Sequence, residues 1–368
     1  MSTKKILLCC NSSTALKNFR QNLIKALIKN GYDVVAVVPD GCDCDYLRAL
    51  GAKVILWPVE ARSVSLISEL SAFLKLFKIL YAEKSDLNIF YSMKPILYGN
   101  LINKVLNRRC LNIISGLGYI FIKKNAFNSL LQILLKFALR KKSNNWCLNK
   151  DDMMLLLKKG FFDESRTQIL PGEGVNVNYY TPAKCAFKGP LTFLMISRVI
   201  KDKGIEEFAL AAKKIKEHNP EARFVLIGNH DKMEKNSVET RVLEGWISKE
   251  VIDYIGVVTD VRPFIAECTC LVLPSYREGL PRTILEAFSM QKIAVASDVA
   301  GCNELVIDGE TGFLCKAANV ESLVVALKKV IALDENDKRQ LEENVRNVVV
   351  NHYSDEIVCE TYLKFLSA

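Results

Sequence analysis

The 368-residue sequence predicts an α/β protein with two Rossmann-like domains in tandem. Short apolar runs rich in β-branched residues alternate with longer runs of helical period along the whole chain, as parallel α/β layers require. Residues 171–190, PGEGVNVNYYTPAKCAFKGP, interrupt this alternation with a stretch that has neither period. The alternation then starts again. Two domains therefore account for the chain better than one barrel of eight βα units, in which no interruption is expected at this position.

The elements follow in order from these periods. In the first half, apolar runs predict strands near 5–10, 33–38, 53–57, 87–91, 110–114, 144–148 and 167–170. Helical periods predict helices near 16–30, 43–50, 64–82, 96–107, 127–141 and 151–159. In the second half, strands are predicted near 191–196, 223–228, 252–255, 270–273, 293–297 and 313–315, with helices near 203–218, 235–248, 261–266, 281–290, 319–333 and 336–349.

These elements set the expected domain limits. Residues 1–172 are expected to form an N-terminal Rossmann-like domain, 173–190 a linker and 191–350 a C-terminal Rossmann-like domain. Residues 351–368 are expected to form a helix that packs back on the N-terminal domain. Hydrophobic residues make up 50% of the chain, which favours a packed globular protein.

The sequence shows no export or membrane-spanning segment. No signal peptide is expected, because Met1–Lys5 leads directly into a short apolar run. The apolar-rich stretches 64–82 and 126–139 contain charged or amide side chains, so neither is expected to span a membrane. The twelve cysteines are scattered through apolar runs, which favours reduced, buried thiols. A cytoplasmic protein is therefore expected.

Metal binding is not expected. Cys42-Asp43-Cys44 and Cys268-Thr269-Cys270 have the spacing of metal-binding pairs, but neither has a second pair or histidine at zinc-finger spacing. Asp43-Cys44-Asp45 also has Asp-x-Asp spacing, but it is expected to open a surface helix. No resident cofactor is predicted.

Positive charge is concentrated in the first half of the chain. Leu87–Lys150 contains eleven basic residues and no acidic one. This run is consistent with an ordinary solvated surface. That is what a charge run usually means, and the alternative is a face that meets anionic lipid or a phosphorylated substrate. Nucleic acid is not an expected partner, since no binding motif or interleaved aromatic pattern accompanies the basic residues.

The stretch REGLPRTILEA, residues 277–287, predicts an anion site at a helix start. Pro281 is expected at the first helical position, where its missing N–H costs nothing. The neighbouring amides would then point at a phosphate, with the helix dipole adding to the attraction. These amides belong to Leu280, Arg282 and Thr283.

Two glutamates flank this predicted helix start. Glu286 lies about 7 Å along the helix, at about 1.5 Å per residue, a distance that suits a ribose diol when the diphosphate caps the helix. Glu278 lies on the loop side, where a donor sugar would sit. The alternative is that Glu278 only caps a loop and that Glu286 is a solvated helix residue.

A second turn, in SRVIKDKG, is expected beside the first. Arg198 and Lys203 follow a predicted strand, and ligands of open parallel sheets bind at the carboxyl ends of strands. Two cations there would neutralise charge on a leaving diphosphate. Alternatively, both are ordinary exposed loop cations.

The segments Ser197-Arg198…Lys203-Gly204, ARFVLIG, YIGVVTDV and PSYREGLPRTILEAFSMQKIAVASDVAGCNELVIDGETGFL resemble the retaining, nucleotide-sugar-dependent glycosyltransferases of family four. The resemblance implies the GT-B fold, in which two Rossmann-like domains face each other across a cleft. It implies that Arg198 and Lys203 bind the diphosphate, that Glu278 faces the donor sugar and that Glu286 bonds the ribose. The other implied donor-binding residues are Gly256, Val257, Gly279, Leu280, Pro281, Arg282 and Thr283.

The first half departs from the family pattern. The loop CCNSSTALKNFR, residues 9–20, has no glycine, and no histidine lies in this half. The stretch ISGLGYIF resembles bacterial N-acetylgalactosaminyl transferases that extend sugars on undecaprenyl diphosphate. This likeness implies transfer from a UDP-sugar to a lipid diphosphate-linked saccharide in surface polysaccharide, lipopolysaccharide or O-antigen assembly. The residues expected on the acceptor side are Asn11, Ser12, Ser115, Gly116 and Gly118.

The resemblance implies front-face substitution without a metal ion. Two alternatives stay open from the residues alone: a sugar-nucleotide epimerase and a non-catalytic nucleotide-sugar-binding protein. The apolar helix 126–139 is expected to lie on anionic lipid at the inner face of the cell membrane, through the flanking Lys123, Lys124, Arg140, Lys141 and Lys142. Alternatively, this helix simply packs against the sheet.

Overall fold

The computed structural model describes residues 4–59, 65–117, 121, 126–139, 143–183 and 189–367. The chain divides into two compact units. The first comprises Met1–Glu173 with Asp355–Ala368, and the second comprises Gly174–Ser354. Each unit holds its own parallel sheet, and helices connect most of the successive strands, which confirms the predicted class of two Rossmann-like domains.

The first unit is built on a seven-stranded parallel sheet in the order β3-β2-β1-β4-β5-β6-β7. Its strands are β1 (Lys5–Cys9), β2 (Asp33–Val38), β3 (Lys53–Leu56), β4 (Leu87–Tyr91), β5 (Cys110–Ile114), β6 (Asn144–Cys147) and β7 (Thr167–Ile169). Every residue of β4 and β5 is buried, as expected for central strands covered on both faces.

The helices of the first unit connect these strands. They are α1 (Ser13–Lys29), α2 (Cys44–Ala49), α3 (Leu66–Glu83), α4 (Met93–Leu106), α5 (Ala126–Leu139) and α6 (Lys150–Lys158). Helix α1 begins where Ser12 accepts a hydrogen bond from the Ala15 amide at 3.1 Å. No helix in the described part of the chain is both long and apolar enough to cross a membrane.

A helix at the end of the chain, α13 (Asp355–Ser367), completes the first unit. Tyr362 is fully buried, and its hydroxyl lies 3.4 Å from that of Tyr91 at the end of β4. Its ring lies 4.9 Å from the Trp146 ring on β6. Large aromatic rings buried in this way fix α13 against the sheet.

The second unit is built on a six-stranded parallel sheet in the order β10-β9-β8-β11-β12-β13. Its strands are β8 (Thr192–Ile196), β9 (Arg223–Ile227), β10 (Asp253–Gly256), β11 (Cys270–Leu273), β12 (Ala294–Ser297) and β13 (Gly312–Cys315). Its helices are α7 (Ile205–Lys216), α8 (Thr240–Ser248), α9 (Arg262–Ala266), α10 (Arg282–Ser289), α11 (Val320–Ile331) and α12 (Glu335–Val348).

The chain between the two sheets belongs largely to the second unit. We expected residues 173–190 to be a linker, whereas the second unit includes the described residues 174–183 and 189–190. Arg346 of α12 holds residues 174–183 in the second unit. Its guanidinium donates hydrogen bonds to the carbonyls of Val177 and Tyr180 at 3.1 and 3.2 Å. The same guanidinium lies 2.8 Å from the Ser289 hydroxyl at the end of α10.

Strand order reverses once in each sheet. In the first unit β1 lies between β2 and β4, and in the second unit β8 lies between β9 and β11. The loops that leave the two neighbouring strands at such a point diverge and leave a crevice beyond the strand ends. The Arg198 and Glu278 motifs follow β8 and β11, so the second-unit crevice coincides with the predicted donor site.

Candidate active site

Two loops of the second unit come together at the strand-order reversal. We call residues 197–204, after β8, the Arg198 turn, and residues 274–281, after β11, the Glu278 loop. The backbone amide of Tyr276 donates a hydrogen bond to the carbonyl of Asp202 at 2.9 Å, which joins the loops directly. Gly204 makes this approach possible, because a Cβ atom at its position would lie 2.2 Å from the Pro274 carbonyl oxygen.

Lys203 and Glu278 form an ion pair across the two loops. The Lys203 Nζ lies 2.5 Å from the Glu278 Oε1, and the side chains are 19% and 13% exposed. A lysine placed at a strand-end crevice and steadied by a carboxylate can meet a phosphate group with little loss of side-chain freedom. The structure therefore brings together two of the three residues predicted to be catalytic.

The third of these residues, Arg198, lies on the same turn and pairs with a residue that the motif did not indicate. Its guanidinium Nη1 lies 3.0 Å from Glu234 Oε1. The Arg198 side chain is 53% exposed, whereas Glu234 is 10% exposed. Arg198 is thus held by a partly buried carboxylate while keeping an open side toward solvent.

Backbone hydrogen bonds fix Glu234 in this place. We call residues 229–239 the Glu234 loop. The amide of Lys201 bonds to the Asn236 carbonyl, and the amide of Val199 to the Asn229 carbonyl, both at 2.9 Å. The Arg198 turn and the Glu234 loop therefore form one local structure. This pairing also explains why α8 begins at Thr240, five residues later than predicted from the helical period.

Helix α10 begins one residue later than predicted. Pro281 is its N-cap, with extended backbone angles of φ −73° and ψ 113°, rather than its first helical residue. The first amides to bond within the helix are those of Ile284 and Leu285, which both donate to the Pro281 carbonyl. The amides of Arg282 and Thr283 thus precede the first intrahelical hydrogen bonds, as an anion-binding helix start requires. Leu280 is buried beneath this turn.

Glu286 is a buried carboxylate on α10, not the solvated helix residue of the alternative interpretation. Its Oε1 lies 3.0 Å from Nε of Arg282, one turn earlier. The hydroxyl of Tyr180 also bonds to it. Burial raises the pKa of the Glu286 carboxyl, and Arg282 and Tyr180 offset part of that rise. Carboxyl groups whose pKa is shifted by burial are concentrated at functional sites.

A fourth loop, which follows β12, packs against the Glu278 loop. Gly301 has a φ of +79°, and a Cβ atom there would lie 2.4 Å from the Gly279 carbonyl oxygen. The next residue, Cys302, is fully buried, and burial together with the nearby Glu278 charge raises the pKa of its thiol. Such a thiol is unreactive, so Cys302 serves packing.

Two of the residues implied to bind the donor, Gly256 and Val257, lie farther along the sheet. Gly256 ends β10, and its carbonyl accepts a hydrogen bond from the Gly228 amide at 2.8 Å. Val257, the next residue, is 72% exposed. The Tyr254 hydroxyl donates to the Gly228 carbonyl at 2.9 Å. Because β9 and β8 separate β10 from β11, these residues lie at the same sheet edge as α10 but not beside it.

The predicted acceptor-side residues lie at the strand ends of the first unit. Asn11 and Ser12 follow β1, while Ser115 and Gly116 follow β5, with β4 between those strands. Ser92, which follows β4, joins the ends of β4 and β1, since its hydroxyl donates to Asn11 Oδ1 at 2.7 Å. Ser12 is engaged as the N-cap of α1. Gly118 lies outside the described residues.

Several residues at the candidate donor site of the second unit, and one at the strand ends of the first unit, escaped the sequence motifs. Ser92 has a left-handed φ of 67°, which a serine rarely adopts, and strained backbone of this kind clusters at functional sites. Tyr180, Glu234 and Arg346 reach the site from distant parts of the chain. Only the YY pair at 179–180 could have drawn attention to itself, as aromatic residues within a polar stretch. The described residues contain no group of three or more His, Cys, Asp or Glu side chains arranged to hold a metal ion.

Comparison with known families assigns a family model to each half of the chain. Residues 5–147 match "Glycosyl transferase 4-like", and residues 182–348 match "Glycosyl transferases group 1". The second match contains all the residues of the Arg198 turn, the Glu278 loop and α10.

Curated relatives match nearly the whole chain. It is 28% identical over 383 residues to the Campylobacter jejuni N,N'-diacetylbacillosaminyl-diphospho-undecaprenol alpha-1,3-N-acetylgalactosaminyltransferase, covering 96% of each protein. It is 27% identical to the Escherichia coli UDP-Gal:alpha-D-GlcNAc-diphosphoundecaprenol alpha-1,3-galactosyltransferase, covering 84% of this chain and 82% of that protein.

Solved structures share the fold over the full length. A glycosyltransferase from Rickettsia africae superposes with a TM-score of 0.81 at 19% identity, covering 99% of this chain and 98% of the other. Anabaena HepE, solved in complex with UDP-glucose, gives 0.82 at 17% identity and covers 99% of both chains. At these identities the likeness concerns the fold, and it confirms the GT-B class.

Proposed function

Because the chain belongs to the group 1 and family-four-like glycosyl transferases, we propose that it is a retaining hexosyltransferase with a UDP-sugar donor and a lipid diphosphate-linked acceptor. N-acetylgalactosamine or a related hexose is the proposed sugar. The two curated relatives, whose names state diphospho-undecaprenol-linked sugars as acceptors, support this substrate class. The product would enter surface polysaccharide or lipopolysaccharide assembly.

The observation that carries the proposal is the convergence of the Arg198 turn, the Glu278 loop and the start of α10. Lys203, paired with Glu278 at 2.5 Å, and Arg198 provide two cations at one strand-end crevice. The helix start adds amides and a favourable dipole. Buried Glu286 supplies an acceptor for ribose hydroxyl groups. A nucleoside diphosphate sugar presents the complementary groups in the same order.

The proposed reaction is a front-face substitution. The bond between the sugar C1 and the diphosphate oxygen breaks, and a bond from the acceptor oxygen to C1 forms on the same face. The acceptor proton passes to the departing diphosphate oxygen. Arg198, Lys203 and the α10 amides stabilise the charge that grows on this leaving group. Glu278 orients Lys203 and lies where hydroxyl groups of the donor sugar would meet it. We propose that no metal ion is required, since these groups supply the positive charge.

The acceptor is proposed to bind the first unit. Asn11, Ser12, Ser115 and Gly116 would meet its sugar, together with Gly118. The acid-free stretch Leu87–Lys150 would attract its diphosphate and place the protein at an anionic membrane surface on the cytoplasmic side. Its eleven basic residues include the flanking cations of helix α5.

A donor screen tests the proposal. A bound ligand stabilises the folded protein by RT ln(1 + L/Kd), where L is the free ligand concentration, so the unfolding temperature rises with the logarithm of ligand concentration over Kd once the site is largely filled. We expect UDP-sugars to stabilise the wild type more than GDP-sugars or NAD do, and Glu286→Gln to lose most of that stabilisation. The preferred UDP-sugar should then release UDP when an undecaprenyl diphosphate-linked saccharide is added. Stabilisation by none of these nucleotides, with no UDP released, would refute the proposal.

A further inference from the structure

Helix α3 carries apolar side chains on two opposite sides. Ala72, Leu76 and Leu80 are buried against the sheet. On the outer side, a second stripe is open to solvent, with exposed fractions of 84% for Ile67, 59% for Leu70, 51% for Leu74 and 62% for Tyr81. These positions follow a helical repeat and so share one side of α3. A helix that only packs on a sheet shows polar residues on its outer side.

Helix α5 repeats this pattern. Its inner side buries Leu135, Ala138 and Leu139. Its outer side exposes apolar residues at helical spacing, with exposed fractions of 55% for Leu130, 65% for Ile133, 39% for Leu134 and 59% for Phe137.

Helix α4 packs against both α3 and α5, so the two stripes belong to the same side of the first unit. It adds Val105, which is 74% exposed, and Lys104, whose Nζ lies 3.5 Å from the centroid of the Phe137 ring. We call the exposed set the apolar face; it consists of Ile67, Leu70, Leu74, Tyr81, Val105, Leu130, Ile133, Leu134 and Phe137. A surface with so many large apolar side chains is unusual for a protein that acts alone in water.

The exposed charges on these three helices are cationic. Lys75, Lys78, Lys104 and Lys136 are all exposed. The sequences of α4 and α5 contain no Asp or Glu. The two acids of α3 are both paired with lysines. Glu69 bonds Lys94 at 2.7 Å, and Glu83 bonds Lys53 at 2.7 Å and Lys5 at 3.3 Å.

We propose that the apolar face docks on the surface of a lipid bilayer with anionic headgroups. The apolar side chains enter the boundary between headgroups and acyl chains, and the lysines contact lipid phosphates. A second copy of the chain fits less well, because a twofold contact would bring lysine against lysine in a water-poor interface. An anionic bilayer offers an apolar layer and negative charge together, which matches both features.

This proposal rests on the proposed function only for its biological reason, a lipid-linked acceptor. It also changes which residues are expected to contact the membrane. The sequence placed the membrane contact at the basic ends of α5, and those ends lie outside the described residues. The structure assigns the larger part of the contact to the outer sides of α3 and α5.

Vesicle co-sedimentation tests the proposal. The variant Leu70→Ser/Leu74→Ser/Ile133→Ser/Phe137→Ser removes four members of the apolar face. The control Val242→Ser/Ile307→Ser/Val325→Ser removes side chains of the second unit that are 40%, 46% and 58% exposed. With phosphatidylglycerol vesicles, we expect wild type and control to sediment alike and the four-site variant to bind at least about tenfold more weakly. All three should bind phosphatidylcholine weakly. Matched circular dichroism spectra and unfolding temperatures establish that the variants fold.

Tryptophan reporters give a second readout. Leu74→Trp should shift its emission to shorter wavelength on adding phosphatidylglycerol vesicles, whereas Val325→Trp should not. Wild type that stays in the supernatant, or equal shifts at both positions, would overturn the proposal. So would sedimentation velocity that shows a wild-type dimer lost in the four-site variant, since a second copy would then cover the apolar face.

The outcome is separable from that of the proposed function. Transfer to a short-chain, water-soluble acceptor should be the same for wild type and the four-site variant, while transfer to a vesicle-embedded acceptor should fall only in the variant. Vesicle binding without any transfer would refute the proposed function and leave the docking face standing. Equal transfer to both acceptors, with equal vesicle binding, would refute the docking face alone.

Discussion

Arg198 and Lys203 differ in how strongly the fold depends on them. Arg198 is half exposed and pairs with Glu234, whereas the Lys203–Glu278 pair is largely buried. An exposed pair contributes about 0.2–1 kcal/mol to stability, and a more buried one leaves an uncompensated charge when one partner is removed. Arg198 is therefore a better position than Lys203 for separating a loss of activity from a loss of stability.

Substituting these cations should lower turnover. We expect Arg198→Ala and Lys203→Ala to reduce kcat by about 10²- to 10³-fold, because both side chains act on charge that develops as the diphosphate leaves. Lys201→Ala, an exposed lysine in the same turn, is the matched control and should retain activity. Steady-state kinetics of UDP release measure this effect. A wild-type kcat in both variants would show that these residues do not act on the leaving group.

Glu286 should show its buried charge in the pH dependence of stability. Burial raises its pKa, so the folded protein holds this proton to higher pH than the unfolded chain does. The stability linked to this group is present below the unfolded pKa of about 4.3 and is lost as the pH rises through the raised value. Glu286→Gln removes that loss. We expect the variant to unfold at a higher temperature than wild type at pH 8, with the difference disappearing near pH 4.

The same substitution should weaken donor binding, since an amide in place of the carboxylate is a poorer acceptor for two ribose hydroxyl groups. Calorimetric titration with UDP would measure this. A variant that is less stable at pH 8 and binds UDP as wild type does would contradict both parts of the account.

At the scale of elements, the contact between the Arg198 turn and the Glu278 loop depends on a glycine. Gly204 has a φ of +73°, and a Cβ there would meet the Pro274 carbonyl at 2.2 Å. We expect Gly204→Ala to destabilise the second unit by about 2 kcal/mol or more and to reduce activity, because the strand-end loops must separate.

The control lies in α8. A Cβ at Gly245 would meet nothing within 4 Å. Gly245→Ala should stabilise the same unit by about 0.5–1 kcal/mol through helix propensity. Thermal unfolding of the two variants, each compared with wild type, should give shifts of opposite sign. An unfolding temperature of Gly204→Ala equal to or above that of wild type would show that the two loops do not need this close approach.

The sequence predicted strands and helices well because periodicity and local chemistry agree in this chain. Each predicted strand overlaps an observed one, since parallel strands are continuous apolar runs bounded by turns. The prediction was less accurate where tertiary contacts intervene. Helix α8 loses its first predicted turn because Asn236 and Ser237 bond to the Arg198 turn instead. Pro281 has extended backbone angles, so it is the N-cap of α10 and not its first helical residue.

The residues of the candidate site also differ in whether the sequence could predict them. Arg198, Lys203, Glu278 and Glu286 stand in two short motifs, so their proximity follows from the rule that strand ends meet at one sheet edge. Glu234 and Tyr180 could not be predicted, because each lies more than thirty residues from its partner and no local pattern marks it. Their positions depend on how the Glu234 loop and the segment held by Arg346 fold back.

In the molecule as a whole, the two units carry different candidate functional regions. The basic stretch Leu87–Lys150 lies within the first unit, which also carries the apolar face, while the donor motifs lie in the second. The residues proposed to face lipid and those proposed to bind the nucleotide are therefore placed on separate units. The chain crosses between these units twice, since α13 returns to the first unit after the second is complete.

The whole enzyme should work without a divalent cation. Arg198, Lys203 and the α10 dipole supply the positive charge that Mg²⁺ or Mn²⁺ would otherwise provide. We expect EDTA to leave the initial rate of UDP release within about twofold of the untreated enzyme. Activity lost in EDTA and restored by Mn²⁺ would mean that a metal ion carries the leaving-group charge.

The most direct test of the central claim is the structure of the product formed from the preferred UDP-sugar and an undecaprenyl diphosphate-linked saccharide. We predict UDP and an acceptor extended by one hexose, whose anomeric configuration by NMR is that of the donor sugar, with the same product formed about 10²- to 10³-fold more slowly by Lys203→Ala. A product with the opposite configuration would contradict the front-face mechanism. An unextended acceptor accompanied by a UDP-sugar of changed configuration would show that the chain is an epimerase and contradict the account as a whole.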